Sequence, residues 1–133
     1  MRLVDTSAWV EWLIGSPTGE RVAASLPEQR DWLSPTIVQL ELVKWLAREV
    51  GEDRADQVIA FSQLCVVVPL DTETALSAAE LCARLKLATA DAIVYAAALK
   101  HGSDLVTCDA HFDGLPGVIY LPKIGAAHSS RLP

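Results

Sequence analysis

Short apolar runs alternate along the chain with longer segments in which apolar residues recur at helical spacing. The short runs predict strands at 3–4, 66–68, 104–107 and 118–121. The segments with helical spacing predict helices at 7–14, 18–26, 36–50, 53–64, 71–87 and 90–101, with a turn near 110–113. This alternation favours an α/β fold around a mostly parallel sheet.

The length and composition predict one domain with an excess of apolar surface. The chain has 133 residues, so we expect a single domain over 1–133. Hydrophobic residues make up 51% of the chain, and the mean hydropathy is +0.28. Values this high suggest that a partner covers part of the surface, either a second copy in a homodimer or another protein.

Three features argue against other classes of protein. The apolar runs are far shorter than the ~20 residues that cross a bilayer, and the start lacks a signal-peptide pattern, so we expect a cytoplasmic protein without a membrane role. Cys65, Cys82 and Cys108 are too widely spaced for a disulfide framework or a zinc site and are interpreted as small buried hydrophobes. The net charge of −6 argues against a general nucleic-acid binder, although a bound cation would change the charge of a nuclease pocket.

Four acidic residues interrupt or end apolar stretches that are predicted to be buried. Carboxylates are rarely buried unless they are paired, hydrogen-bonded or bound to a cation. In parallel sheets, ligands collect beyond the carboxyl ends of the strands, and all four acids are expected to reach that edge. They are Asp5 after residues 3–4, Glu41 within 37–43, Asp91 before 92–98 and Asp109 after 105–108.

Three of these acids have an ordinary structural alternative. Asp5 and Asp109 each precede a helical turn and are placed to cap it. Asp91 lies in a first helical turn, where Thr89 would be the cap and the acid would complement the helix dipole. Capping therefore remains an alternative to a shared site.

Glu41 is harder to explain, because its apolar neighbours leave no broad polar face. The alternative is a glutamate that snorkels to solvent or forms an ion pair, for example with Lys44 or Arg48. If the four carboxylates converge, two of them ~4 Å apart repel by about 4 kcal/mol at an effective dielectric constant near 20. A divalent cation removes this conflict, and oxygen ligands favour Mg²⁺ or Mn²⁺ over Zn²⁺. Such a site suits metal-assisted phosphodiester hydrolysis.

Ser7 and Thr107 lie next to the first and fourth acids and are candidate supporting residues, since a hydroxyl can orient a carboxylate. A helix cap at Ser7 and a β-branched strand end at Thr107 are the alternatives. The histidines at 101, 111 and 128 are interpreted as surface residues and not as catalysts.

The order and spacing of these motifs resemble the PIN-domain ribonucleases, and most closely the VapC-type toxins of bacterial toxin–antitoxin pairs. The resemblance covers roughly residues 2–122 and rests on four motifs. It implies a PIN-like three-layer sandwich and an endoribonuclease dependent on Mg²⁺ or Mn²⁺. It also implies an RNA substrate, a homodimer and inhibition by a cognate antitoxin protein. The motifs are Leu3-Val4-Asp5-Thr6-Ser7, Glu41 within a helix, Ala90-Asp91-Ala92-Ile93-Val94-Tyr95-Ala96-Ala97, and Leu105-Val106-Thr107-Cys108-Asp109 with Phe112.

In this resemblance Asp5, Glu41, Asp91 and Asp109 match the acidic quartet that binds metal and carries catalysis. One position departs from the pattern, because many similar proteins carry an acid two residues after the fourth Asp. The alternatives to a toxin are a PIN-type nuclease of RNA processing without an antitoxin, and a catalytically silent PIN-fold binding protein. A receiver domain or a phosphatase fits poorly, since no second acid lies two residues after Asp5. At the departing position this chain has His111, with Asp113 just beyond, and a contribution of either residue to the site is an open question.

Overall fold

A computed structural model describes residues 1–125, which form a five-stranded, all-parallel sheet flanked by six helices. The strands are β1 (Arg2–Val4), β2 (Trp32–Pro35), β3 (Val66–Val68), β4 (Asp104–Thr107) and β5 (Val118–Tyr120), in the order β3-β2-β1-β4-β5. The helices are α1 (Thr6–Ile14), α2 (Pro17–Ala23), α3 (Thr36–Glu49), α4 (Glu52–Gln63), α5 (Thr72–Leu85) and α6 (Thr89–Lys100). Short 3₁₀ helices span Gln29–Asp31 and Ala110–Phe112. The predicted α/β sandwich with a parallel sheet is confirmed; His128 lies outside the described residues.

The centre of the sheet is apolar on both faces, as parallel sheets covered by helices usually are. β1 lies between β2 and β4, and Leu3 is in register with Leu33 on one side and Leu105 on the other. All three leucines are fully buried. The carboxyl ends of β1 and β4 are therefore neighbours, and both open on the same edge of the sheet.

β2 is the one strand of the described sheet that the sequence pattern did not predict. Its four residues are all buried, but Ser34 and Pro35 break the apolar run that would mark a short strand. Pro35 has no amide proton to donate to the sheet, and it ends the strand at the N-cap position of α3. The predicted helices agree with the observed ones to within one or two residues at most ends. α2 is the exception, since it ends at Ala23 and not near residue 26.

Four aromatic side chains pack together between α1, α4 and β2. Trp9 and Trp32 are buried with ring centroids 4.7 Å apart, and Phe61 lies 5.3 Å from Trp32. Trp12 completes the cluster and is half-buried. These rings therefore form core packing between the first helix and the sheet, and Trp9 and Trp32 are too deeply buried to stack on a nucleic-acid base.

The three cysteines are free thiols, and Cys65 and Cys108 are buried as predicted, whereas Cys82 is half-buried. Burial raises the pKa of the Cys65 and Cys108 thiols to about 11, which keeps them protonated and unreactive near neutral pH. Within residues 1–125, none of the helices combines the length and the apolar character needed to cross a membrane.

Candidate active site

Asp5 lies directly after β1 and takes the N-cap position of α1, but its side chain does not cap the helix. Oδ2 instead accepts hydrogen bonds from Ser7 Oγ at 2.8 Å and from Thr107 Oγ1 at 2.9 Å. The residue is only 6% exposed. Burial raises the pKa of this carboxyl to about 6. The hydrogen bonds from the two hydroxyls lower the pKa, and the negative charge of Glu41 raises it. The carboxylate thus lies between the first turn of α1 and the end of β4 and contacts both.

Ser7 and Thr107 join Asp5 to the backbone that follows β4. Ser7 Oγ accepts a hydrogen bond from the Cys108 amide at 3.0 Å, and Thr107 Oγ1 accepts one from the Asp109 amide at 3.0 Å. Because each hydroxyl has one proton and donates it to Asp5, both hydroxyls hold a fixed orientation. The structure therefore brings both candidate supporting residues to the first acid; their support of catalysis stays a prediction.

Glu41 lies on the second turn of α3 and is half-buried. Its Oε1 accepts a short hydrogen bond, 2.7 Å, from Thr6 Oγ1 at the start of α1. Within the described residues it forms no ion pair with Lys44 or Arg48, so that alternative is wrong; Arg48 contacts a neighbouring glutamate instead. Glu41 therefore turns toward the sheet edge, where α1 begins.

Asp91 lies in the first turn of α6, as predicted, with its side chain 22% exposed. Thr89 is itself the first residue of the helix and provides no side-chain cap, so the predicted cap is wrong. Burial raises the pKa of the Asp91 carboxyl, and the charges of Asp109 and Glu41 raise it further, while His111 lowers it. The Asp91 carboxylate is therefore repelled by two of the other predicted site acids.

Asp109 follows β4 and does act as a helix cap, so the capping alternative holds for this residue. Its Oδ1 accepts a hydrogen bond from the His111 amide at 2.9 Å, at the start of the 3₁₀ helix Ala110–Phe112. Capping does not remove Asp109 from the site, because its charge also raises the pKa of Asp91. Asp109 thus caps the 3₁₀ helix and also belongs to the group of acids at the sheet edge.

The four acids come from four different elements, and their charges act on one another. Glu41 raises the pKa of both Asp5 and Asp91, and Asp109 raises that of Asp91. In the described part of the chain, no lysine or arginine forms an ion pair with any of them. The tightest group combines Asp91 and Asp109 with His111, each offering one ligand atom within 4.8 Å of the others.

This donor set fits a divalent cation. Clustered carboxylates without a lysine or arginine partner repel one another, and a divalent cation offsets that repulsion. Asp91, Asp109 and His111 are placed to share an ion, whereas Asp5 and Glu41 lie at the same edge but outside this close group. The ligands are mainly carboxylate oxygens, which suit Mg²⁺ or Mn²⁺.

Two contacts of this site were not predicted from the sequence. Thr6 donates to Glu41 across the fold, and nothing in the local sequence indicates this pairing. His111 is exposed, as expected of a surface residue, yet its Nδ1 lies 2.7 Å from Asp109 Oδ1 and 3.9 Å from Asp91 Oδ2. The signal for His111 was its position two residues after Asp109. Asp113, by contrast, is exposed at the end of the 3₁₀ helix.

Comparison with solved structures finds the same fold in toxin–antitoxin proteins. A toxin–antitoxin complex from Klebsiella pneumoniae has a chain with a TM-score of 0.80 and 21% identity, covering 93% of this chain and 100% of that one. VapC20 of Mycobacterium tuberculosis, a toxin that cleaves the sarcin–ricin loop, has a TM-score of 0.73 and 23% identity, with 92% and 100% covered. FitAcB from Neisseria gonorrhoeae has a TM-score of 0.69 and 25% identity, with 84% and 89% covered.

The sequence itself matches one protein family. Among curated proteins there is no match. The model of the PIN domain family, however, matches residues 2–118, a range that contains all four acids and both supporting hydroxyls. The five-stranded parallel sheet with flanking helices agrees with that match. The chain therefore belongs to the PIN domain family.

Proposed function

We propose that this protein is a metal-dependent endoribonuclease that hydrolyses RNA phosphodiester bonds and acts as the toxin of a toxin–antitoxin pair. The observation that carries the proposal is the close group of Asp91 and Asp109 at the sheet edge, with Asp5 and Glu41 electrostatically linked to it and no lysine or arginine paired to the four in the described residues. Repulsion among four neighbouring acids is costly for stability, and the hydrogen bonds that Asp5, Glu41 and Asp109 accept do not remove it. A metal-binding role accounts for all four.

Asp5, Glu41, Asp91 and Asp109 would hold the metal, with Mg²⁺ as the expected ion and Mn²⁺ able to replace it. When bound, a divalent ion activates water for attack on the phosphodiester and neutralises charge on the phosphate. Ser7 and Thr107 orient Asp5 through their hydrogen bonds to Oδ2. Thr6 orients Glu41 in the same way. Fixed ligand orientation of this kind lowers the cost of assembling a metal site.

RNA as the substrate and an antitoxin as the partner are supported by the solved structures with this fold. VapC20 is described as cleaving the sarcin–ricin loop, which is RNA, and the Klebsiella pneumoniae structure is a toxin–antitoxin complex. The proposal includes a cytoplasmic location, where such RNA is found. The protein's own surface supports a protein partner, because Leu40 and Val43 on α3 are exposed.

The deciding experiment measures cleavage of a structured RNA by the purified chain with Mg²⁺ or with EDTA. We expect cleavage only with metal, and Asp5→Asn or Asp91→Asn to reduce the rate by about 10²–10³-fold, as for other single electrostatic groups in active sites. Asp56→Asn is the matched control, since it makes the same change at an exposed position on α4. Wild-type cleavage rates in both site variants, or equal cleavage in EDTA, would refute the nuclease.

The toxin role has its own test. Expression of the wild type without an antitoxin should arrest growth of the host, whereas Asp5→Asn should not. A nuclease that cleaves RNA in vitro but leaves growth unaffected would favour an RNA-processing role.

Light scattering over micromolar concentrations tests the homodimer, which we expect from the apolar surface, and a stable monomer would contradict it.

A further inference from the structure

His111 places a ring nitrogen against two carboxylates that come from different parts of the fold. Its Nδ1 lies 2.7 Å from Oδ1 of Asp109, which follows β4, and 3.9 Å from Oδ2 of Asp91, on α6. The imidazole is otherwise exposed, with 77% of the side chain open to solvent. Core packing does not hold the ring in this position; its polar contacts with the two acids do, and the contact with Asp109 has the length of a hydrogen bond between charged groups.

The spacing of these three atoms matches that of ligands around a single ion. In an octahedral site with ligand distances of about 2.1 Å, adjacent ligand atoms are about 3 Å apart and opposite ones about 4 Å. The two observed distances from Nδ1, 2.7 Å and 3.9 Å, lie near these values. All three residues offer ligand atoms within 4.8 Å of one another, a separation that one ion can bridge.

We infer that His111 is a metal ligand and that its imidazole moves the preference of the site from Mg²⁺ toward first-row transition ions such as Mn²⁺. This inference rests on the proposed metal-dependent function and adds to it the identity of a nitrogen ligand. Imidazole binds transition ions well, whereas Mg²⁺ prefers carboxylate and water oxygens. An all-carboxylate site at this edge would show less discrimination between the two ions.

The chain offers a matched control in a second exposed histidine. His101 follows the last residue of α6, at the opposite end of the helix from Asp91. A helix of 12 residues is roughly 18 Å long, so His101 is far outside the site. Because both imidazoles are exposed, replacing either one leaves the core intact.

In the test, the untagged 133-residue chain is titrated with Mn²⁺ and with Mg²⁺ in a calorimeter. We expect His111→Gln to weaken Mn²⁺ binding by roughly tenfold or more and Mg²⁺ binding much less. Even the loss of a residue that only hydrogen-bonds to a metal ligand changes metal affinity by that factor. His111→Asp should tighten Mg²⁺ binding relative to Mn²⁺. His101→Gln should behave as the wild type with both ions.

Pulsed electron paramagnetic resonance of bound Mn²⁺ provides a direct spectroscopic test. The wild type and His101→Gln should show coupling of the ion to a ¹⁴N nucleus, and His111→Gln should lose it. If Mn²⁺ binds but the coupling is absent, or persists in His111→Gln, His111 is only an exposed partner of the two carboxylates and the inference fails while the metal site stands. If neither ion binds the wild type, the proposed metal dependence fails as well.

Discussion

At the residue scale, the ionised form of the Asp5 carboxyl is destabilised by burial in the metal-free protein, and a bound cation would stabilise it. Its carboxyl is buried beyond the end of β1, and its pKa is raised to about 6 from an ordinary value of 3.8. Two hydroxyl donors offset part of the cost but do not remove it. A shift of two pKa units corresponds to roughly 3 kcal/mol of preference for the protonated form. The metal-free protein therefore loses stability when this residue ionises.

The sign of this effect gives a pH dependence. Between about pH 4 and pH 6 the folded state binds more protons than the unfolded state, so the free energy of unfolding falls as pH rises. In EDTA, Asp5→Asn should equal the wild type near pH 4 and be more stable above pH 6, by up to roughly 3 kcal/mol. Urea unfolding across this range measures the difference, with Asp56→Asn as the control. A less stable Asp5→Asn protein at pH 7 would mean that the carboxylate is a structural support.

Thr6 affects the site through another residue, and this role is open to a second test at the residue scale. Thr6→Val keeps the shape of the side chain but removes the 2.7 Å hydrogen bond to Glu41. Hydrogen bonds to charged groups contribute about 1.5–3 kcal/mol, so RNA cleavage should fall by roughly tenfold or more. Thr6→Ser, which keeps the hydroxyl, should restore most of the rate. If both variants lose activity equally, the methyl group and not the hydrogen bond is the important feature.

At the scale of elements, the packing of α2 on α1 depends on the absence of one side chain. A Cβ atom at Gly19 would lie 2.0 Å from the backbone carbonyl oxygen of Glu11 and 3.0 Å from the Cα of Trp12. Ser16 fixes this arrangement, because its hydroxyl accepts from the Gly19 amide and donates to the Glu11 carboxylate. The close approach holds α1, the helix that begins at the site, against its neighbour.

The change in stability caused by Gly19→Ala has opposite signs if helix propensity or the close packing of α2 on α1 dominates. Propensity alone would stabilise the helix by up to about 1 kcal/mol, whereas the clash with backbone atoms should destabilise the fold by roughly 1–3 kcal/mol. Thermal unfolding measures the sign. Glu20→Ala, at an exposed position in the same helix, should change stability by less than about 0.5 kcal/mol. A more stable Gly19→Ala protein would show that the two helices separate easily.

For the whole molecule, the sequence predicted what was local and missed what depends on tertiary contacts. The four acids were identifiable because each interrupts or ends an apolar stretch of the sequence, and strand ends in a parallel sheet predict where such residues meet. β2 was missed because Ser34 and Pro35 disguise a strand that is recognisable only by its pairing with β1 and β3. The Thr6–Glu41 contact joins residues 35 positions apart, so no local pattern could reveal it.

The metal site should also be measurable in the stability of the whole protein. A ligand that binds only the folded state at a hundred times its Kd adds about 2.7 kcal/mol, which for a domain of this size raises Tm by roughly 10 °C. Asp5→Asn combined with Asp91→Asn should start with a higher Tm in EDTA and gain little from Mg²⁺ or Mn²⁺. Because the chain has a net charge of −6, any cation also screens its general repulsion. A second double variant, Asp53→Asn with Asp56→Asn on α4, makes the same charge change away from the site and should keep the full metal-induced rise. If the metal raises the Tm of both double variants equally at matched ionic strength, the increase is due to charge screening alone. That result would exclude a specific metal site at this edge of the sheet.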